Sequence, residues 1–215
     1  MGNHRRMRLR SNVNVNRISL TTLLILAIIT LSACVGSGQL PEEHFYRLPE
    51  LQPTITFSQP LSAGSLDIPR LRATGMLHER ALLFSKATAP TDMQVYHYHQ
   101  WQDPPSVLVR DHLIDYLRRS NVADRILPPT TGIETELRLV GKLTRFERVV
   151  GTSQATATVE AEFTLLRGRK VVFGPRPYRA QSATGERSIR GIIAPFGIAL
   201  QRIYDQLIRD LKATL

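Results

Sequence analysis

The chain has 215 residues, enough for one domain of ordinary size plus a short extra segment, and its 42% apolar and 21% charged content exclude an intrinsically disordered protein. A net charge of +10 would point to nucleic acid if it were spread evenly. It is not: five of the 28 basic residues and none of the 18 acidic ones precede Cys34, so loss of that stretch halves the charge to +5 and no nucleic acid partner is expected.

Residues 1–33 have three parts. A basic stretch carries Arg5, Arg6, Arg8, Arg10 and Arg17; an apolar run of 14 residues follows from Ile18 to Leu31; Ser32 and Ala33 then precede Cys34. This is the order of a secretory signal peptide. Fourteen helical residues span about 21 Å, short of a hydrocarbon core of about 30 Å. Counted to Val35 the run reaches 18 residues, the lower border for an uncleaved anchor. Leu31-Ser32-Ala33-Cys34 resembles the bacterial lipobox, in which a thiol accepts diacylglycerol before the chain is cut ahead of it. Cys34 is the only cysteine, so no structural disulfide competes for it. Two or three acyl chains hold a protein durably at a membrane. Val35, in place of Asp, favours the outer membrane by resemblance to enterobacterial lipoproteins, with the domain facing the periplasm. Residues 34–43, with Gly36-Ser37-Gly38, read as the tether, and 44–215 as the domain.

Within the domain, Phe45 to Leu48 reads as a short strand ended by Pro49. Ser65 to Leu71 reads as a second, and its Pro69 predicts an edge position. Glu79 to Lys86 and Met93 to Trp101 read as a hairpin whose loop, Ala87 to Asp92, contains Pro90. Strict alternation would put Met93, Val95, His97, His99 and Trp101 on one face and Gln94, Tyr96, Tyr98 and Gln100 on the other. Asp103-Pro104 predicts a helix start, with Asp103 as cap, and Val109, Leu113, Tyr116 and Leu117 carry an amphipathic helix to about Arg119, ending at Ser120-Asn121. Alternation returns from Ile133 to Leu143 and, more cleanly, from Ala155 to Leu165. Arg167-Gly168-Arg169 turns the chain into a strand through Val171 and on to near Tyr178. The last element is a helix with Phe196, Leu200, Ile203, Tyr204, Leu207 and Leu211 on one face and Arg202, Asp205, Arg209 and Lys212 opposite. These elements predict one α+β domain, a mixed or mostly antiparallel sheet packed by two amphipathic helices.

The chemistry-bearing patterns are few. No Gly-x-x-x-x-Gly-Lys loop, no Gly-x-Ser-x-Gly elbow and no convergent acid–base set is present, so an enzyme, a hydrolase included, is not expected. His97 and His99 have the spacing of two metal ligands but no cysteine to join them, and a packed or interfacial role is the stronger reading. No cofactor or metal is expected. Tyr96, Tyr98 and Trp101 are candidates for a partner-binding face, since tyrosine and tryptophan dominate binding hot spots; Trp101 equally suits a core position at the strand-to-helix corner. Arg167, Arg169 and Lys170, with Arg176, Arg179, Arg187 and Arg190 beyond, make the C-terminal third locally basic, which suits solvent or an anionic contact surface.

The lipobox, the Phe45-Tyr46-Arg47-Leu48 strand, the Leu66-Asp67-Ile68-Pro69-Arg70-Leu71 strand, the Tyr98…Trp101-x-x-Pro104 segment and the amphipathic final helix together resemble the ABC-type transport auxiliary lipoproteins. That family includes the lipoprotein of the paraquat-inducible intermembrane transport system. The resemblance implies a non-enzymatic periplasmic partner of an MCE-domain protein and its inner-membrane ABC transporter, moving lipid between membranes, with homo-oligomers plausible beside ring-shaped partners. The rival reading is a periplasmic lipid carrier that holds an acyl chain in an internal apolar cavity.

Overall fold

Eight strands and two helices follow one another in a computed structural model that describes residues 41–127, 134–184 and 189–215. The signal peptide, Cys34, most of the tether, Ile133 and Arg187 lie outside these residues. In chain order the strands are β1 (His44–Tyr46), β2 (Ser62–Asp67), β3 (Ala81–Lys86) and β4 (Ala89–Trp101), then β5 (Ala123–Leu127), β6 (Leu137–Val150), β7 (Ala155–Arg167) and β8 (Lys170–Thr184). Helix α1 (Pro105–Arg119) follows β4, and α2 (Ile193–Thr214) closes the chain. The unit from Glu42 to Leu215 has one sheet, mixed as expected: β3–β4, β6–β7 and β7–β8 pair antiparallel, while β1–β4, β2–β5, β2–β6 and β3–β6 pair parallel.

Strand β6 is the spine of this sheet. One edge pairs with β7 over its whole length; the other meets β2 at Leu137 and Arg138 and β3 at Arg148 to Val150. The alternation of β7 puts Ala157, Val159, Ala161, Phe163 and Leu165 under α2, which buries Phe196, Ala199, Leu200, Ile203, Tyr204, Leu207 and Leu211 in the same core. Gly141 of β6 is needed for this closeness, because a Cβ there would meet Leu71 at 2.6 Å and Phe163 at 2.8 Å.

Several expectations are corrected. Strand β2 starts at Ser62 and stops at Asp67, and it lies between β5 and β6, not at an edge. Pro69 falls beyond the ladder, so its missing N–H costs the sheet nothing. The hairpin between β3 and β4 turns on Ala87 and Thr88 alone; Pro90 belongs to β4, inside a bulge between Ala89 and Met93 where no ladder donor is required. Strand β6 begins four residues later than Ile133 and runs to Val150, and β5 was not anticipated. Helix α1 starts one residue later than expected. Pro104 is extended at ψ 139 because the residue before a proline, here Pro105, is driven out of the helical region, and Asp103 makes no capping bond. The C-terminus matches the expectation: Asn121 takes φ 56, and Asn121 N–H bonds Arg118 O while Val122 N–H bonds Leu117 O, the two bonds of a Schellman cap.

The first strand stops at Tyr46, short of the expected Leu48, and residues 49–61 were not read as an element. Residues 47–61 form an extended strap across both helices. His112 Nε2–H donates to Pro49 O at 2.8 Å, Arg119 to Leu51 O at 2.9 Å, Gln201 to Gln52 O at 2.9 Å, and Phe57 N–H to Ser120 O at 3.1 Å. The strap's Leu51, Pro53, Ile55 and Phe57 are half-buried in alternation with exposed residues. Gly197 permits the crossing: a Cβ there would lie 2.5 Å from Pro49 Cγ.

Candidate functional site

Among the described residues, one part of the sheet gathers aromatic and histidine side chains, and it lies where β1 joins β4. Register places His44 beside His99, Phe45 beside Gln100 and Tyr46 beside Trp101. Between Tyr96 and Gln100 the β3–β4 ladder slips, so that Leu82 faces Tyr96 while Ala81 faces Gln100. The slip reverses the parity of β4. Tyr96 and His99, opposite in strict alternation, therefore meet edge to face with ring centroids 6.2 Å apart.

On the helix-covered side the cluster is a packed joint. The Tyr46 hydroxyl and His99 Nδ1 share a hydrogen bond of 2.7 Å, and the His99 ring stacks on His44 at 5.0 Å and Tyr46 at 5.8 Å. Tyr96 stacks on Phe84 at 4.4 Å, and its hydroxyl accepts from Arg148 Nη1 at 3.0 Å. Burial, reinforced by the charges of His44 and Arg190, pushes the His99 imidazole below the ordinary histidine value. Burial also raises the Tyr46 phenol, opposed by the charge and hydrogen bond of Arg190.

The sequence candidates separate here. Trp101 is fully buried, 5.2 Å from Phe146 and 5.3 Å, edge on, from Phe196. Its ring pins the corner before α1 from inside, the core position that was one of its two readings, and leaves no surface exposed in this chain. Tyr96 is half-buried beneath Phe84 and Arg148. Tyr98 alone of the three is open, at 45% exposure. His97 is exposed while His99 is engaged by Tyr46, and no group of three or more histidine, cysteine or acidic side chains comes together among the described residues. Asp205, expected on the wet side of α2, is buried and accepts from Tyr116.

On the outward side of the same strands lie Phe45, Tyr98 and Gln100. The Arg80 guanidinium sits 5.6 Å from the centre of the Phe45 ring. Beside them is an open groove of about 580 Å³ lined by Met76, Ala81, Val95 and Gln100 among others. A second cleft, about 260 Å³, runs under the strap between Leu48, Leu51, His112, Asp115 and Arg119.

Arg167, Arg169 and Lys170 cluster at the β7–β8 turn, all exposed, with Arg167 3.3 Å from Glu136. Gly168 takes φ 57 in the first central position of this two-residue turn, where a side chain would be strained. Leu137 pairs with Arg167, whereas Phe84 pairs with Arg148, so this turn lies far along the strands from β1. The offset is about eight residues of strand, roughly 27 Å, with further separation across the sheet.

Sequence reasoning missed His44, Tyr46, Arg148 and Arg190 as parts of one cluster. For Tyr46 a signal existed in the aromatic pair Phe45-Tyr46 directly after the tether. For Arg148 and Arg190 none did, since only tertiary packing brings them near.

The family model described as ABC-type transport auxiliary lipoprotein component matches residues 46–208. No protein of curated function matches the sequence. Among solved structures, a Xanthomonas campestris protein of the DUF330 family has a similar fold, with TM-score 0.68 and 19% identity, covering 79% of this chain and 96% of that one. An uncharacterised protein is also similar, with TM-score 0.59 and 10% identity over 80% of this chain and 99% of that one. At these identities the likeness is one of fold.

Proposed function

The chain belongs to the family of ABC-type transport auxiliary lipoprotein components, and from that premise we propose that it is a positional, non-enzymatic part of an intermembrane lipid transport system. Cys34 carries acyl chains in the outer membrane. The domain docks from the periplasm to an MCE-domain protein and its inner-membrane ABC transporter, as a single copy or a homo-oligomer, without cofactor or metal.

The observation that carries this reading is the joint at β1. This first strand after the tether is hydrogen-bonded to β4, its Tyr46 hydroxyl is bound to His99, and Tyr46 O accepts from Gln102 N–H at 2.8 Å. A pull transmitted from an anchor at Cys34 reaches the sheet directly, which suits a protein whose task is to hold a position. A carrier needs an enclosed apolar space of several hundred Å³. The small Ala157 and Ala161 could have left one, but α2 fills that side with Phe196, Ala199, Leu200 and Ile203, and the clefts described above are open and lined in part by charged side chains. At the far end of the sheet, Arg167, Arg169 and Lys170 offer a positive contact for an anionic surface of the partner.

Crosslinking and affinity purification of the intact lipoprotein from envelope membranes tests the proposal. Copurification of an MCE-domain protein and its ABC transporter is the expected result. Recovery of the lipoprotein alone, with stoichiometric phospholipid bound, overturns it in favour of a carrier.

A further inference from the structure

We infer that the outward face of β1 and β4, centred on Phe45 and Tyr98, seats on the bilayer that holds the anchor, so that the domain lies against the membrane and does not swing free. The inference rests on the acylation of Cys34 proposed above.

Six large apolar side chains are strongly exposed among the described residues, and four of them, Phe45, Met76, Met93 and Tyr98, belong to this one region. Phe45 precedes Tyr46, and Tyr98 precedes the His99 that Tyr46 binds on the helix side, so both rings leave the outward side of the sheet. Met76 and Val95 line the groove next to Gln100, and Met93 lies two residues further along β4. Exposed apolar side chains gathered on one face in this way mark an interaction site. Its chemistry suits a headgroup boundary, where aromatic rings with polar tips and nearby cations collect: the Tyr98 hydroxyl, the Arg80 guanidinium over Phe45, and His97 beside them.

The chain length decides the occupant. Nine residues separate Cys34 from His44, ten steps of chain that at full extension reach about 36 Å. A tether this short keeps the bilayer at a high local concentration around β1, in the millimolar range for short flexible linkers, so even a weak membrane contact is populated. A soluble partner enjoys no such advantage at this corner. The basic turn at Arg169 lies far along the strands and is left free for a protein partner.

Because Cys34 is the only cysteine and its sulfur would be blocked by lipid, a thiol introduced elsewhere can be labelled alone. Y98C and F45C are made in the full chain, with V171C, exposed near the opposite turn, as the reference, and acylation is verified by mass. Each is labelled with a polarity-sensitive dye and reconstituted in phosphatidylethanolamine–phosphatidylglycerol bilayers bearing headgroup nitroxides. At a burial depth of about 5–10 Å, the dyes at positions 45 and 98 shift to the blue and lose about half their emission, while the dye at 171 is unchanged. Equal responses at all three positions, with the acyl mass present, overturn the inference and leave the anchor reading standing. Bifunctional crosslinking of Y98C to a second copy also overturns it, by naming a different occupant. A chain with no acyl mass overturns both readings.

Discussion

The Tyr116 hydroxyl of α1 donates to Asp205 Oδ1 of α2 at 2.6 Å, and the bond lies buried between the two helices. Beside it the Tyr116 and Tyr204 rings pack at 5.2 Å, and Tyr204 in turn donates to Val109 O at 3.1 Å. The helices are thus keyed together by polar contacts inside an apolar layer. Burial, with the neighbouring carboxylate adding, pushes the Tyr116 phenol well above its ordinary range, so it remains a donor at any physiological pH.

Tyr116→Phe removes that donor and leaves a buried carboxylate oxygen without it. Stability should fall by about 1–3 kcal/mol in urea unfolding, with a smaller further loss when Asp205→Asn is added, since the two side chains share one bond. Additive losses would show that the contact is not the unit described.

Trp101→Ala empties a fully buried site between Phe146 and Phe196. The expected cost is about 3–5 kcal/mol, read as a lowered denaturation midpoint. A variant of near-normal stability that has lost its partner would instead restore Trp101 as a contact residue.

His112 makes stability depend on acid. Its Nε2–H donates to Pro49 O, its Nδ1 is buried without a partner, and burial pushes its imidazole below the ordinary value of 6.5. Below 6.5 the unfolded chain therefore holds more protons than the folded one. Stability falls as the pH drops through 6.5 toward the lower folded value, and the slope from this residue fades within about a unit above 6.5. His99, lowered in the same direction, adds to the slope. Urea midpoints compared at about pH 5.5 and 7.5 should differ for the native chain and differ less for His112→Gln, which does not titrate.

Gly197→Ala tests the strap. Alanine favours a helix over glycine by about 1 kcal/mol, but its Cβ would press on the Pro49 ring at 2.5 Å and approach Leu51 at 3.3 Å. A proline ring cannot turn aside as a long flexible side chain can, so the clash outweighs the propensity. The variant should be less stable by about 1–3 kcal/mol and more readily cut by protease within residues 47–61. Stabilisation would mean that the strap yields freely.

Cys34→Ser should release the protein from membranes on fractionation while leaving the circular dichroism of the domain unchanged. Continued membrane fractionation would contradict the lipoprotein assignment at this residue.

What the sequence determined by itself is what local periodicity and composition can express. The apolar stripe of α2 from Phe196 to Leu211, the alternation of β7 and the α1 stop at Ser120-Asn121 each follow from neighbours within a few residues. The strap belongs with them in principle, because Leu51, Pro53, Ile55 and Phe57 alternate with polar residues; it escaped notice because its proline residues read as loop. Tertiary structure alone decided the rest. The placement of β2 between β5 and β6 depends on parallel pairings between distant segments, which leave no mark in local spacing. The slip in β4 that turns Tyr96 toward His99 depends on how β3 and β1 share that strand. Asp205 looks like a surface residue until Tyr116, 89 positions earlier, arrives to bind it. Periodicity reports which side of an element is dry, whereas the identity of the group that dries it is settled only when distant parts of the chain pack together.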